Sequence, residues 1–162
     1  MNTPMDISPA GLDLIKRWEG DPRTRSFSAR VYDDLAGLPT VGYGHKLTAA
    51  ELASGAFAEG IDEATATRLL RADAASAVQA VNRAVTVPLA QQRFDALVSF
   101  VYNVGAGSFQ TSTALRMVNA QDWAAVPPAL AMFSKVRQNG ALVPSAGLAA
   151  RREAEGALFA VA

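Results

Sequence analysis

Residues 27–45 constrain the fold more than any other part of the chain. They read Phe-Ser-Ala-Arg-Val-Tyr-Asp-Asp-Leu-Ala-Gly-Leu-Pro-Thr-Val-Gly-Tyr-Gly-His. This run is rich in Val, Tyr, Thr and Gly and is punctuated by the turn residues Asp34 and Gly37. Such a composition belongs to short antiparallel strands joined by tight turns. A sheet this small is marginal in water unless something packs against it. Nearly all the rest of the sequence carries apolar residues at helical spacing, so helices must supply that packing. The chain is predicted to be α+β, with a small N-terminal sheet lobe beside a larger helical lobe.

The helices announce themselves through caps and periodicity. Ser8 is a hydroxyl N-cap before Pro9, and the helix it opens runs through Leu12, Ile15 and Glu19 to a stop at Gly20. Thr48 caps a short helix over residues 49–53, closed by Gly55. Asp62 caps the next, where Leu70, Ala74, Ala77, Val81 and Val85 keep one face along a single long helix. Pro88 is expected to open a helix carrying Phe94, Leu97, Val98, Val101 and Tyr102, which ends at Gly105-Ala106-Gly107. Shorter helices are predicted over residues 113–118 and 122–133. A loop bearing Asn139, Gly140, Pro144 and Gly147 then leads to a last helix over 148–159. Trp18, Phe109 and Trp123 read as core. The 162 residues are expected to form one domain, with the β lobe at about 21–60 and the helical lobe from 1–20 and 61–162.

Composition removes whole classes of chemistry. There is no Cys, hence no disulfide, thiol nucleophile or iron–sulfur cluster. His45 is the single histidine, which argues against a zinc site built on several imidazoles. Fifteen Lys and Arg balance fifteen Asp and Glu, so the basic footprint of a nucleic-acid binder is missing. No apolar stretch approaches the ~20 residues that span a bilayer, and residues 1–6 do not resemble a signal peptide. The chain is expected to be made as a soluble protein in the cytosol, with no stable membrane insertion. Carboxylates, hydroxyls, arginines and backbone groups remain to do the chemistry, with no metal or cofactor.

Glu19 is the most informative carboxylate. It projects between Leu12 and Ile15 onto the apolar face of its helix and sits in the last turn, where the dipole disfavours negative charge. Both effects favour the protonated form, as a general acid requires. On position alone, an ordinary Glu turned to solvent in a fraying turn fits as well. A second cluster lies in the hairpin, where Asp34 and Thr40 flank a tight turn. A carboxylate can take a proton from water while a nearby hydroxyl holds that water. Asp and Gly are also default turn residues, so turn chemistry alone explains the cluster too. Gly42 and Gly44 alternate with Val41 and Tyr43 and leave one strand face bare, which suits close approach of a ligand or a simple bend. Taken together, two carboxylates with a hydroxyl fit the needs of a glycosidase.

Trp18-Glu19-Gly20, Tyr32-x-Asp34 and Thr40-Val41-Gly42-Tyr43-Gly44-His45 resemble the phage lysozymes of the T-even type, glycoside hydrolase family 24. Asp34 and Thr40 keep the family's spacing of an Asp, five residues and a Thr. The likeness continues through the run from Phe94 to Phe100, through Asn103-Val104-Gly105-Ala106-Gly107 and Asn119-Ala120-Gln121-Asp122-Trp123, and through Arg151-Arg152-x-x-Glu155. It implies a lysozyme-like fold with an active-site cleft between the two lobes. It also implies an endolysin that hydrolyses the β-1,4 bond between N-acetylmuramic acid and N-acetylglucosamine, by inversion, for host lysis. In that scheme Glu19 is the acid, while Asp34 and Thr40 serve the water. Tyr32, Gly42, Gly44, His45, Asn103, Arg151 and Arg152 are substrate-binding or supporting residues, with one of the two arginines near Glu19. His45 reads more readily as a packed structural partner than as an acid or base.

The family usually places fewer residues between Glu and Asp than the fourteen that separate Glu19 from Asp34. The excess falls in the polar 21–28 stretch with Arg23 and Arg25, and it leaves Asp33 as a competitor for the Asp role. Phe133 stands where relatives often carry Trp. The implied partner is the glycan strand of peptidoglycan, acted on by a monomer. The implied route is synthesis in the host cytoplasm and release to the periplasmic wall through a separate holin-type pore. A cell-wall-binding or tail-associated module without turnover, and a lytic transglycosylase, are the rival readings.

Overall fold

The computed structural model describes residues 3–20 and 26–161. The 21–25 segment, which holds most of the expected insertion, lies outside the described residues. The chain divides into two compact units, one of residues 15–75 and one of residues 1–14 with 76–162.

The first helix, α1 (Pro9–Glu19), supplies the start of one unit and the beginning of the other. Its entry is capped as expected: the Ser8 hydroxyl accepts from the Gly11 N–H at 3.3 Å. In the unit of residues 15–75 the chain continues into three short antiparallel strands, β1 (Ser28–Asp33), β2 (Pro39–Gly42) and β3 (His45–Lys46), in that spatial order. The register sets Tyr32 opposite Thr40 and Asp33 opposite Pro39, and on the other edge Thr40 opposite Lys46. Helix α2 (Ala49–Ser54) follows, with a full capping box in which Thr48 and Glu51 satisfy each other's backbone N–H groups. Helix α3 (Glu63–Asp73) is capped by Asp62 and packs against β2. Ile15, Val41, Ala66 and Leu70 are its buried centre.

The other unit is helical: α4 (Ala75–Ala84), α5 (Gln91–Val104), α6 (Ala106–Gln110), α7 (Thr113–Asn119), a 3-10 turn at Trp123–Ala125, α8 (Val126–Ala131) and α9 (Ala146–Ala160). Helix α5 is its axis. Every residue from Phe94 to Val101 is buried, and α9 runs along it with α8 against α9. Phe100 stands edge-on to both Phe109 and Phe133, with centroids 6.3 and 5.1 Å apart. A fully buried ring such as Phe100 or Phe109 contributes about 1.5–3 kcal/mol.

Several sequence expectations need correction. The long helix expected through Val85 is two helices, broken at Ala74, although the whole apolar set is buried. Helix α5 begins at Gln91, three residues after Pro88, behind Ala90 with no side-chain cap. The stop at Gly105 is immediately followed by α6 rather than by a loop. The loop expected between Phe133 and Leu148 contains a second hairpin, β4 (Lys135–Gln138) and β5 (Ala141–Pro144), turning at Asn139-Gly140 with both φ angles positive, 47° and 82°. Of the three aromatic residues read as core, Phe109 is fully buried, whereas Trp18 and Trp123 are only partly so. Arg93 lies over the Trp123 ring at 4.2 Å and shields one face of it.

No described helix is long and apolar enough to cross a membrane.

Candidate functional site

In the sheet unit the β1–β2 turn is built on Asp34. Its Oδ1 accepts from the N–H groups of Ala36 and Leu38 at 2.9 and 2.8 Å, and its own N–H donates to the Leu38 carbonyl. One carboxylate oxygen therefore folds the turn. The other, Oδ2, pairs with the ammonium of Lys46. Asp34 is held below the usual carboxylate range, first by the Lys46 hydrogen bond and then by the Leu38 N–H. It is an ionised acceptor at neutral pH.

Thr40 sits on β2 at 1% exposure. Its hydroxyl donates to the Leu38 carbonyl at 2.8 Å, which leaves the oxygen lone pairs to accept from elsewhere. Lys46 Nζ lies 3.3 Å from that oxygen. Asp34 and Thr40 are thus brought together, as the hairpin spacing led one to expect, with Lys46 joining them. Tyr32 is opposite Thr40 in the register and is exposed. Asp33 points its backbone into the ladder opposite Pro39 and is exposed.

Glu19 ends α1 and is half-buried rather than buried, because the last turn of a helix lies where the chain leaves its packing surface. Its carbonyl approaches the β2–β3 turn: a Cβ placed on Gly44 would stand 3.6 Å from the Glu19 oxygen. Gly44 has φ 88°, a left-handed conformation that side chains rarely adopt. Lys16, one turn earlier, places its ammonium over the buried Tyr43 ring at 5.3 Å. The end of α1 and the β2–β3 turn therefore meet in one unit. Gly42, also at positive φ, is buried, and a Cβ there would meet Ala66 at 3.4 Å. The close approach that its bare backbone permits is made by α3.

His45 faces away from this group. Its Nδ1 is 3.0 Å from Asp73 and its Nε2 3.2 Å from Glu51, so both nitrogens meet carboxylates. Phe57 stands edge-on to the ring. Burial works against the charged ring, but the two carboxylates outweigh it and raise its pKa. The residue ties β3 to α2 and α3.

In the helical unit Arg151 and Arg152 are buried and converge on Glu155, itself 0% exposed. Glu155 Oε1 accepts from Ser99 Oγ at 2.8 Å, Arg151 Nε at 3.2 Å and Arg152 Nη2 at 3.1 Å. Arg152 Nε stands 2.8 Å from Oε2 without directing its N–H there, so that oxygen is ion-paired but not hydrogen-bonded among the described residues. Burial pushes the Glu155 carboxyl up, against the two arginines. Asn103, exposed at the end of α5, accepts from Arg152 Nη2 at 2.9 Å.

Sequence reasoning assigned no role to Lys46, Glu155, Ser99, Glu51 or Asp73. Glu155 and Ser99 stand inside motifs that were legible. Lys46 follows directly on a motif, and only the strand register reveals it. Among the described residues, no cluster of His, Asp and Glu is suited to hold a metal ion.

Comparison with known proteins gives one consistent picture. The phage lysozyme family model matches residues 22–155. The endolysin of Acyrthosiphon pisum secondary endosymbiont phage 1 is 38% identical over 157 residues, 96% of this chain and 98% of that protein. The solved endolysin of Escherichia coli O157:H7 phage FAHEc1 superposes with a TM-score of 0.82 at 34% identity, covering 98% of this chain and 96% of that one. The muramidase domain of SpmX from Asticaccaulis excentricus gives 0.78 at 35% identity, with 95% and 97% covered.

Proposed function

This chain belongs to the phage lysozyme family, and from that premise we propose that Glu19, Asp34 and Thr40 carry its reaction. It is a glycoside hydrolase, a phage endolysin of the muramidase type whose substrate is peptidoglycan. The observation that carries the assignment is that one unit holds both the α1 end with Glu19, which meets the β2–β3 turn at Gly44, and the neighbouring β1–β2 turn, where Lys46 draws Asp34 and Thr40 together.

Glycoside hydrolysis needs a proton for the leaving oxygen and help for the incoming water. Glu19 is the acid in this scheme. Asp34 is the carboxylate for the water side: Oδ1 is occupied by the turn, which fixes the group, and Oδ2 is paired with Lys46. Being ionised at neutral pH, Asp34 can accept a proton or stabilise an oxocarbenium-like transition state. Thr40 gives its own proton to Leu38, so its oxygen is set to accept an O–H from that water. Direct attack by water gives inversion, with no glycosyl-enzyme.

Tyr32, beside Thr40 on the same strand pair, is the candidate sugar contact. Synthesis in the host cytoplasm, action as a monomer and release through a separate holin-type pore belong to the same proposal. The products test it. Digestion of purified peptidoglycan, read by mass spectrometry, is expected to yield muropeptides ending in reducing N-acetylmuramic acid, each heavier by one water. Products carrying the 1,6-anhydro ring would instead establish a transglycosylase.

A further inference from the structure

Residues 45 and 46 form a strand of only two residues, and neighbours along a strand project to opposite faces. His45 goes to one side, where Asp73 and Glu51 take it. Lys46 goes to the other, where the register sets it directly opposite Thr40, with Tyr32 across from Thr40 on the far strand. Cross-strand partners have Cβ atoms about 4.5–5.5 Å apart, so a lysine here reaches past the threonine to the turn beyond. That is what it does: one ammonium touches both Asp34 Oδ2 and Thr40 Oγ1.

We propose that Lys46 is a positioning residue for the reaction, its ammonium holding Asp34 Oδ2 and Thr40 Oγ1 toward one shared point. The proposal rests on the reading of Asp34 and Thr40 as the groups that serve the water. An ammonium has three N–H donors and no lone pair, so Lys46 can neither hold the nucleophile's proton nor replace the carboxylate. It can fix both oxygens and keep Asp34 charged. The atoms it chooses matter, because Asp34 Oδ1 is already committed to Ala36 and Leu38. The ammonium takes the one carboxylate oxygen that has no duty in the turn.

A plain surface ion pair is the competing explanation. Lys46 is 50% exposed and Asp34 21%, and an exposed pair of this kind contributes little to stability. Stability is therefore the wrong readout. The pH profile is the right one, since an opposite charge at contact moves a carboxylate's titration. The other charged groups of this sheet are Arg30 and Asp33, both exposed on β1, and His45, which is engaged by Asp73 and Glu51 on the opposite face.

The test compares wild type, Lys46→Met and Lys46→Arg for kcat/KM on soluble glycan fragments between pH 3.5 and 8, with Asp34→Asn as reference. Thermal midpoints confirm that each variant is folded, and carbon NMR follows the Asp34 carboxyl without substrate. In Lys46→Met the acid limb is expected to move up by about one pH unit, with a loss of about threefold to tenfold at neutral pH. Lys46→Arg is expected to restore the limb. An acid limb that superposes on wild type, while Asp34→Asn is inactive, overturns the role of Lys46 and leaves the water-side assignment standing. Wild-type turnover by Asp34→Asn would overturn the assignment itself and Lys46's role with it, and an NMR shift in Lys46→Met would then report only an ion pair.

Discussion

The two units treat charge in opposite ways. In the helical unit Arg151, Arg152 and Glu155 are sealed from water, and Ser99 completes the group. In the sheet unit Asp34 and Lys46 meet at the surface, with Thr40 beneath them. Removing two charges from water costs several kcal/mol per ion, which is recovered only by close pairing and hydrogen bonds. A buried cluster of this kind is consequently intolerant of change, and its charges face one another rather than solvent. The exposed cluster contributes little to folding and leaves its carboxylate within reach of solvent. A carboxylate's use is decided by where the fold places it.

The comparison is broken most easily at Glu155. Glu155→Ala leaves two arginines buried without their carboxylate, which is expected to cost about 3–5 kcal/mol. For a chain of this size that lowers the thermal midpoint by on the order of 10 °C. A midpoint within a degree or two of wild type would mean that the buried cluster is not holding the helical unit.

His45 sharpens the same contrast, being intermediate in both burial and effect. Its folded pKa is raised above its unfolded value by Asp73 and Glu51. The stabilisation is therefore complete below the unfolded pKa, about 6.5, and is lost as pH rises through the raised folded value. His45→Asn is expected to lose about 1–2 kcal/mol relative to wild type at pH 5.5, with the gap narrowing by pH 8.5. Thermal melts of the two proteins at both pH values decide it; an equal gap at both would show that the ring acts by packing alone.

Much of this was legible in the sequence, for identifiable reasons. The hairpin and its Asp34–Thr40 pair follow from turn chemistry and spacing, and the α1 cap follows from Ser8-Pro9. The break at Ala74 was not legible, because the flanking residues are alanines, an aspartate and a serine, with no Gly or Pro to mark it. The β4–β5 hairpin does carry a local signal, since Asn-Gly between short strands favours a hairpin, but the neighbouring Pro and Gly residues give the stretch the composition of a loop. Arg151 and Arg152 were found, but their partner Glu155, on the same face three and four residues on, was not. The i,i+3 and i,i+4 spacing was the available clue. Lys46 depends on a cross-strand register that no local pattern states.

The central claim, that the acid at the end of α1 does the chemistry, is tested most directly by Glu19→Gln. The amide keeps the shape of the carboxyl and cannot deliver a proton. Clearing of purified peptidoglycan is expected to fall by about 10²–10⁴-fold, while the thermal midpoint stays level or rises, since active-site groups are often kept at some cost in stability. A Glu19→Gln protein that clears walls at the wild-type rate would contradict it.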